Sequence, residues 1–107
     1  MGAWYLYLVR CGDGTLYTGI TNDVERRLAA HREGRGARYL RGRGPLELAR
    51  KVRVGSHGDA LKVERRVKRM SRSRKEKLIQ GKIRVKDLLK PSPLRLKRKK
   101  AKGKRKK

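Results

Sequence analysis

The most constraining feature of the sequence is a pair of short apolar segments separated by the turn sequence GDG. The first segment, AWYLYLVRC at residues 3–11, has the length and the aromatic and aliphatic content of a strand covered on both faces. The second, TLYTGI at residues 15–20, predicts the return strand. Two such runs joined by glycine-rich turn residues are typical of a β-hairpin.

The length of the connecting loop fixes which residues face each other across this hairpin. If residues 12–14 form the loop, Tyr7 pairs with Gly19, and Val9 pairs with Tyr17. Tyr7 and Tyr17 then share one face as diagonal neighbours, roughly 7–8 Å apart at Cα. Because Gly19 has no side chain, the register predicts open space opposite Tyr7 that suits a substrate pocket. The two tyrosines also have a structural interpretation, since tyrosines in strands commonly pack against their neighbours.

The first predicted helix follows the hairpin, at NDVERRLAAHREG, residues 22–34. Asn22 is the predicted N-cap, with Glu25 three positions later in a capping-box pattern, and the helix is expected to end near Gly34. At about 100° per residue, Arg27 and His31 fall beside the apolar stripe of this helix. Both side chains are therefore expected to project toward the sheet.

The rest of the domain is predicted to hold one more strand and two more helices. PLELARKVRVG at residues 45–55 predicts a third strand, and DALKVERRVKRM at 59–70 predicts a second helix with Glu64 beside its apolar side. SRSRKEKLIQGK at residues 71–82 predicts a third helix, capped by Ser71 or Ser73. His57, in VGSHGD, is interpreted as a loop residue.

The charge of the chain constrains its partners more than its fold. Thirty-four Lys and Arg residues stand against 9 Asp and Glu in 107 residues, a formal charge of +25. A charge of this size indicates a polyanionic partner. No stretch approaches the roughly 20 apolar residues of a membrane span, and the start of the chain lacks the pattern of a signal peptide. We therefore expect a nucleic-acid partner, no membrane, and a cytoplasmic location that includes association with the nucleoid.

The chain is predicted to have one folded domain and a basic tail. Residues 94–107 carry 10 of the 34 basic residues and no acid. Such a segment cannot bury enough apolar surface to offset its ordering entropy, so we place the domain at 1–88 and a disordered tail at 89–107. Cys11 is the only cysteine, which excludes an internal disulfide and a cysteine cluster for zinc.

The hairpin and first helix together resemble a known family. LYL at 6–8 and YTG at 17–19 look like the two halves of the GIY-YIG signature, with the middle residue of each half changed. The order and spacing of five residues match the family's functional positions: Tyr7, Tyr17, Arg27, His31 and Glu64. The resemblance covers about residues 3–80 and is closest to small stand-alone bacterial GIY-YIG proteins. It is more distant to the nuclease domain of excision-repair incision enzymes.

The resemblance implies a mixed α/β (α+β) fold with a three-stranded antiparallel sheet flanked by about three helices. It also implies an endonuclease that hydrolyses nucleic-acid phosphodiester bonds, DNA in preference to RNA, with one divalent ion, Mg²⁺ or Mn²⁺. Glu64 would hold the ion and Arg27 the scissile phosphate. Tyr7 or Tyr17 would act on the attacking water, with Tyr7 favoured as the base, and Arg27, His31 and the ion would assist deprotonation.

Further cations are predicted to contact the nucleic-acid backbone. They lie in the glycine-rich segment GRGARYLRGRG, expected to contact phosphates flexibly, and in the tail: Arg35, Arg38, Arg41, Arg43, Lys97, Arg98, Lys99 and Lys100. The tail also allows attachment to a protein assembly, such as a repair complex or ribosome, and we expect a monomer or weak dimer.

One alternative is a non-catalytic nucleic-acid-binding module with the same fold. Many members of the family carry an asparagine after the glutamate helix, whereas this chain has only Asn22, and Ile20 replaces a residue that is often polar. Glu64 also has a structural interpretation, since it stands four residues before Lys68 in a favourable helical pair.

Overall fold

The predicted hairpin is present with the predicted register. The computed structural model describes residues 2–89, in which strand β1 spans Trp4–Arg10 and strand β2 spans Leu16–Thr21. Tyr7 pairs with Gly19, and Val9 pairs with Tyr17. Residues 12–14 form the connecting loop, closed by a 2.9 Å hydrogen bond from the amide of Cys11 to the carbonyl of Thr15.

A third strand completes the antiparallel sheet. Strand β3, Glu47–Gly55, pairs with β1, so the strand order is β2-β1-β3 and both pairings are antiparallel. This arrangement, with three helices around it, confirms the predicted α+β fold. The central strand β1 is buried on both faces, as its continuous apolar sequence predicts.

The two faces of the sheet are covered by different helices. Helix α1, Val24–Arg32, packs its buried residues against the face that carries Tyr7 and Val9. The opposite face, which carries Leu6 and Leu8, packs against helices α2, His57–Lys68, and α3, Arg72–Ile79. Two short 3₁₀ helices, Arg38–Leu40 and Val85–Leu89, complete the described elements.

The N-cap of α1 lies one residue later than predicted. Asp23, not Asn22, caps the helix, and its carboxylate accepts a 3.1 Å hydrogen bond from the amide of Arg26. The hydroxyl of Thr21 accepts a bond from the amide of Asp23, which turns the chain before the helix begins. The predicted capping box is therefore absent, because Glu25 stands at the second helical position and not the third.

The positions of α2 and α3 agree with prediction except at the start of α2. His57 lies in the first turn of α2 and not in a loop, and its ring stacks on that of Trp4 with centroids 4.1 Å apart. Ser71 caps α3 by accepting a bond from the amide of Arg74. The guanidinium of Arg10 forms a bidentate ion pair with the carboxylate of Glu76. This pair connects α3 to the end of β1.

Some predictions concern residues that the structure does not describe. The basic tail at 89–107, with Lys97, Arg98, Lys99 and Lys100, lies outside the described residues, apart from Leu89. Within residues 2–89, no helix is both long and apolar enough to cross a membrane.

Candidate active site

The candidate site is centred on a buried hydrogen bond between Tyr7 and His31. Tyr7 comes from the middle of β1 and His31 from the last turn of α1, and their Oη and Nε2 atoms lie 2.8 Å apart. Nδ1 of His31 accepts a hydrogen bond from the amide of Ala37 at 3.1 Å, so Nδ1 carries no hydrogen. The hydrogen of the neutral ring is therefore on Nε2, which donates it to Tyr7.

This tautomer restricts the chemistry available to the pair. The oxygen of Tyr7 accepts a hydrogen bond from His31, and the tyrosine's own hydroxyl hydrogen is left to point at another acceptor. His31 can stabilise negative charge on the Tyr7 oxygen, but its Nε2 cannot take the tyrosine proton while it carries a hydrogen. The sequence predicts only that His31 assists Tyr7. The structure makes His31 a hydrogen-bond donor to the Tyr7 oxygen.

Two glycines allow the pair to form. A Cβ at Gly19 would lie 2.6 Å from the hydroxyl oxygen of Tyr7, so the phenol of Tyr7 lies directly over Gly19. The prediction of open space opposite Tyr7 was therefore wrong, because the tyrosine side chain itself occupies that space. A Cβ at Gly36 would collide with Nδ1 of His31, so only glycine lets the chain after α1 approach the ring and present the Ala37 amide.

Tyr17 is the third ring of the cluster. Its centroid lies 6.3 Å from that of Tyr7 and 5.6 Å from that of His31, in the second case with an edge-on geometry. These separations are typical of interacting aromatic rings. Tyr17 is half-buried, whereas Tyr7 and His31 are almost fully buried. The hairpin register and the helix periodicity therefore bring together the three rings that the sequence singled out.

Burial controls the protonation of the central pair. The pKa of Tyr7 is raised to about 12, chiefly by burial and to a smaller extent by Tyr17 and Glu64, while the guanidinium of Arg27 opposes the increase. The pKa of His31 is lowered, first by burial and then by the positive charge of Arg27. Both side chains are therefore neutral near pH 7 in the protein without ligands.

Arg27 and Glu64 lie at the border of the ring cluster. Arg27 is exposed on α1, and its charge acts on both Tyr7 and His31. Glu64 lies on α2 with 20% of its side chain exposed, and its Oε2 atom is 3.3 Å from the ammonium of Lys68. The predicted helical ion pair is thus present. The four other residues predicted for the site, Tyr17, Arg27, His31 and Glu64, therefore all interact with Tyr7.

The arginine-rich segment that follows α1 is folded against the protein. Arg35 pairs with Glu33, Arg41 donates to the carbonyl of Gly34, and Arg43 pairs with Asp13. The expected flexible segment is thus an ordered one, in which three of the four predicted phosphate-binding arginines have partners within the chain. The side chain of Arg38 is exposed and forms no hydrogen bond or ion pair within residues 2–89.

The structure adds cations that sequence reasoning missed. On β3, Lys51 pairs with Tyr7, and Arg53 pairs with Tyr5, so both face the same side of the sheet as Tyr7. Arg50 pairs with Leu8 and faces the other side. Lys51 and Arg53 are exposed, and neither side chain forms an ion pair or hydrogen bond inside the described part of the chain. The sequence shows that side chains alternate between the two faces along β3. It does not show the register of β3 against β1, which decides which cations share a face with Tyr7.

The family was decided by comparison with known proteins. The sequence model of the GIY-YIG catalytic domain matches residues 3–77, which is more than half of the chain. The chain belongs to the GIY-YIG family. The matched span contains all five residues of the candidate site and excludes the basic tail. The resemblance inferred from the spacing of the tyrosines is thereby confirmed, and it supports a nuclease-type function.

Similar chains occur in several bacteria. A UPF0213 protein of Cronobacter sakazakii is 48% identical over 83 residues, covering 78% of this chain and 87% of the relative. A UPF0213 protein of Yersinia pestis is 54% identical over 76 residues, covering 71% and 80%. A protein from E. faecalis, solved by solution NMR, is 31% identical with a TM-score of 0.55, covering 76% of this chain and 86% of that one. The names of these relatives specify no activity.

Proposed function

We propose that this GIY-YIG protein is a metal-dependent endonuclease that hydrolyses phosphodiester bonds, in DNA in preference to RNA. The observation that carries the proposal is the Tyr7–His31 hydrogen bond, whose geometry is fixed by Gly36 and the Ala37 amide. Packing of a tyrosine ring does not require its buried hydroxyl to be oriented by a hydrogen bond or to lie near an exposed arginine, so this arrangement favours a functional role. The charge of +25 supports a nucleic-acid substrate.

Glu64 is the residue that would hold a divalent ion. No three potential ligands of the His, Cys, Asp or Glu type lie together within residues 2–89. A single carboxylate nevertheless suits Mg²⁺ or Mn²⁺, because Mg²⁺ commonly keeps several waters and binds through one or two carboxylates plus substrate phosphates. When bound, such an ion would supply charge stabilisation for the phosphate oxygens and the leaving group.

The remaining roles in the proposed reaction belong to side chains of the protein. Arg27, exposed at the border of the cluster, binds the scissile phosphate and offsets its developing charge. Tyr7 orients the attacking water through its hydroxyl, and the hydrogen on Nε2 of His31 stabilises negative charge on the tyrosine oxygen. Tyr17, half-buried beside both, positions the substrate. A Tyr7 pKa of about 12 means that deprotonation of Tyr7 requires added positive charge nearby.

The decisive test compares matched carboxylate variants in a cleavage assay. Wild type, Glu64→Gln and Glu25→Gln are prepared identically and given single-stranded, duplex and branched DNA and RNA, with Mg²⁺ and then Mn²⁺. Glu25 is an exposed glutamate of α1, so its variant makes the same change in charge away from the ring cluster. We expect Glu64→Gln to cleave about 100-fold more slowly with binding retained, and Glu25→Gln to cleave like wild type. Equal cleavage by all three proteins would contradict the proposal.

The ion pair of Glu64 favours a second candidate function. Because Lys68 holds the carboxylate at 3.3 Å, a cation already neutralises the residue that would bind the metal. A nucleic-acid-binding module without turnover has the same charge and the same fold. Salt-sensitive binding with no cleavage by wild type in either metal would support this second function.

A further inference from the structure

An exposed aromatic ring lies next to the ring cluster and is not used by the proposed chemistry. Tyr39 belongs to the 3₁₀ helix Arg38–Leu40, whose last residue, Leu40, is buried in the core. Tyr39 itself is 45% exposed. Its ring stacks on Tyr17, with centroids 5.8 Å apart and planes inclined by 24°. Tyr39 therefore extends the buried ring cluster to the surface of the protein.

The guanidinium of Arg43 is held against the same ring. Its carbon lies 4.3 Å from the centroid of Tyr39. Nε of Arg43 donates to the carbonyl of Tyr39 at 2.7 Å, and Nη1 donates to Asp13 at 2.7 Å. The amide of Gly12 bonds to the carbonyl of Arg43 at 2.6 Å, so the segment is fastened to the hairpin loop. We call the side chains of Tyr17, Tyr39 and Arg43 the stacking platform.

The platform has the chemistry of a base-binding surface. Nucleobases stack on the faces of aromatic side chains and on the planes of arginine guanidiniums. Such stacking tolerates any base, because every base has a π-face. The hydrogen bonds of Arg43 order both groups before any ligand binds, which lowers the entropy lost on binding.

The position of the platform determines which base it can reach. Tyr17 belongs to both the platform and the ring cluster, and its centroid is 6.3 Å from that of Tyr7. A base on the platform therefore belongs to a nucleotide close to the phosphate that is bound at Tyr7 and Arg27. A base inside a duplex already has neighbours on both faces, so the platform is suited to a base that is unpaired.

We propose that the stacking platform is a subsite for an unpaired nucleobase next to the scissile phosphate. This inference rests on the proposed function, since it takes the ring cluster to bind nucleic acid. It assigns Arg43 to base stacking, in place of the phosphate contact that the sequence predicted. The competing explanation is that Tyr39 only fastens the arginine-rich segment to the hairpin.

A binding cycle separates base stacking from support of the segment. All proteins carry Glu64→Gln so that the ligand stays intact, and two ligands of equal charge are compared: an oligothymidylate of about eight nucleotides and an abasic oligomer of the same length. Tyr39→Ala is expected to weaken binding of the oligothymidylate by about tenfold and to leave binding of the abasic oligomer unchanged. Tyr39→Phe, which keeps the ring, is expected to bind both like the parent.

The control is Leu61→Ala, which removes another exposed apolar side chain, on α2. It is expected to change neither affinity. Equal weakening of both ligands by Tyr39→Ala would show that the ring only supports the segment, and no weakening of either would show that the platform is not used. Both results would overturn the subsite. The cleavage assay of the wild type is independent of this cycle, so absence of turnover is distinguished from absence of the subsite.

Discussion

At the scale of single residues, the site depends on which nitrogen of His31 carries the hydrogen. The Ala37 amide makes Nδ1 an acceptor, and this bond exists because Gly36 lets the backbone reach the ring. Protonating the ring would place a hydrogen on Nδ1, opposite the hydrogen of the Ala37 amide. It would also add a positive charge near Arg27, which already lowers the pKa of His31. The folded state therefore favours the neutral ring.

This preference predicts a pH-dependent stability. Since the pKa of His31 is below 6.5 in the folded protein, the unfolded chain binds the extra proton first as pH falls. The stabilising contribution is fully present above about pH 6.5 and is lost as pH falls through the lower folded-state pKa. Urea unfolding between pH 8 and pH 5 should show this loss in wild type and in His57→Gln, but not in His31→Gln. Parallel pH profiles for all three proteins would contradict it.

At the scale of elements, the sequence correctly predicts the features that depend on the spacing of nearby residues. The register of the hairpin follows from a three-residue loop, and the inward direction of His31 follows from its spacing along α1. The cap of α1 was misplaced by one residue because Thr21 turns the chain just before the helix. The Ala37 amide lies only six residues from His31, but its bond depends on how the chain turns after α1. The stack of Tyr39 on Tyr17 joins residues far apart in the chain. No periodic pattern in the sequence reports either contact.

Strand β3 offers a test of which sheet face meets nucleic acid. Arg53 lies on the face of Tyr7, and Arg50 lies on the opposite face, while both are exposed and carry one charge. Removing a phosphate contact should weaken binding about uniformly across sequences and reduce the slope of log K against log salt by about 1. We expect this for Arg53→Gln and not for Arg50→Gln, measured by salt titration of binding to one DNA. Equal effects of the two variants would mean that binding depends on net charge alone and not on this face.

At the scale of the whole molecule, the chain combines a small GIY-YIG domain with a strongly basic C-terminal segment. Residues 90–107 contain 11 of the 34 basic residues. Within the domain, many arginines are engaged in ion pairs and hydrogen bonds, such as those of Arg10, Arg32 and Arg43. Residues 1–89 hold the other 23 basic residues together with all 9 acidic residues, whereas residues 90–107 hold no acidic residue. Because the segment carries its positive charge without any compensating acidic residue, we expect it to supply a large share of the non-specific affinity for nucleic acid through counterion release.

Deleting residues 90–107 should therefore separate affinity from chemistry. We expect the truncated protein to bind DNA at least tenfold more weakly at low salt, with a log K against log salt slope shallower by several units. Its thermal midpoint and its cleavage rate at saturating DNA should match those of the full chain, because the five residues of the candidate site lie within residues 7–64. A full-length variant with glutamine at positions 97–100 controls for length and should show an intermediate slope. If the truncated protein kept the full slope, the phosphate contacts would belong to the domain, and its exposed cations near Tyr7 would become the main nucleic-acid surface.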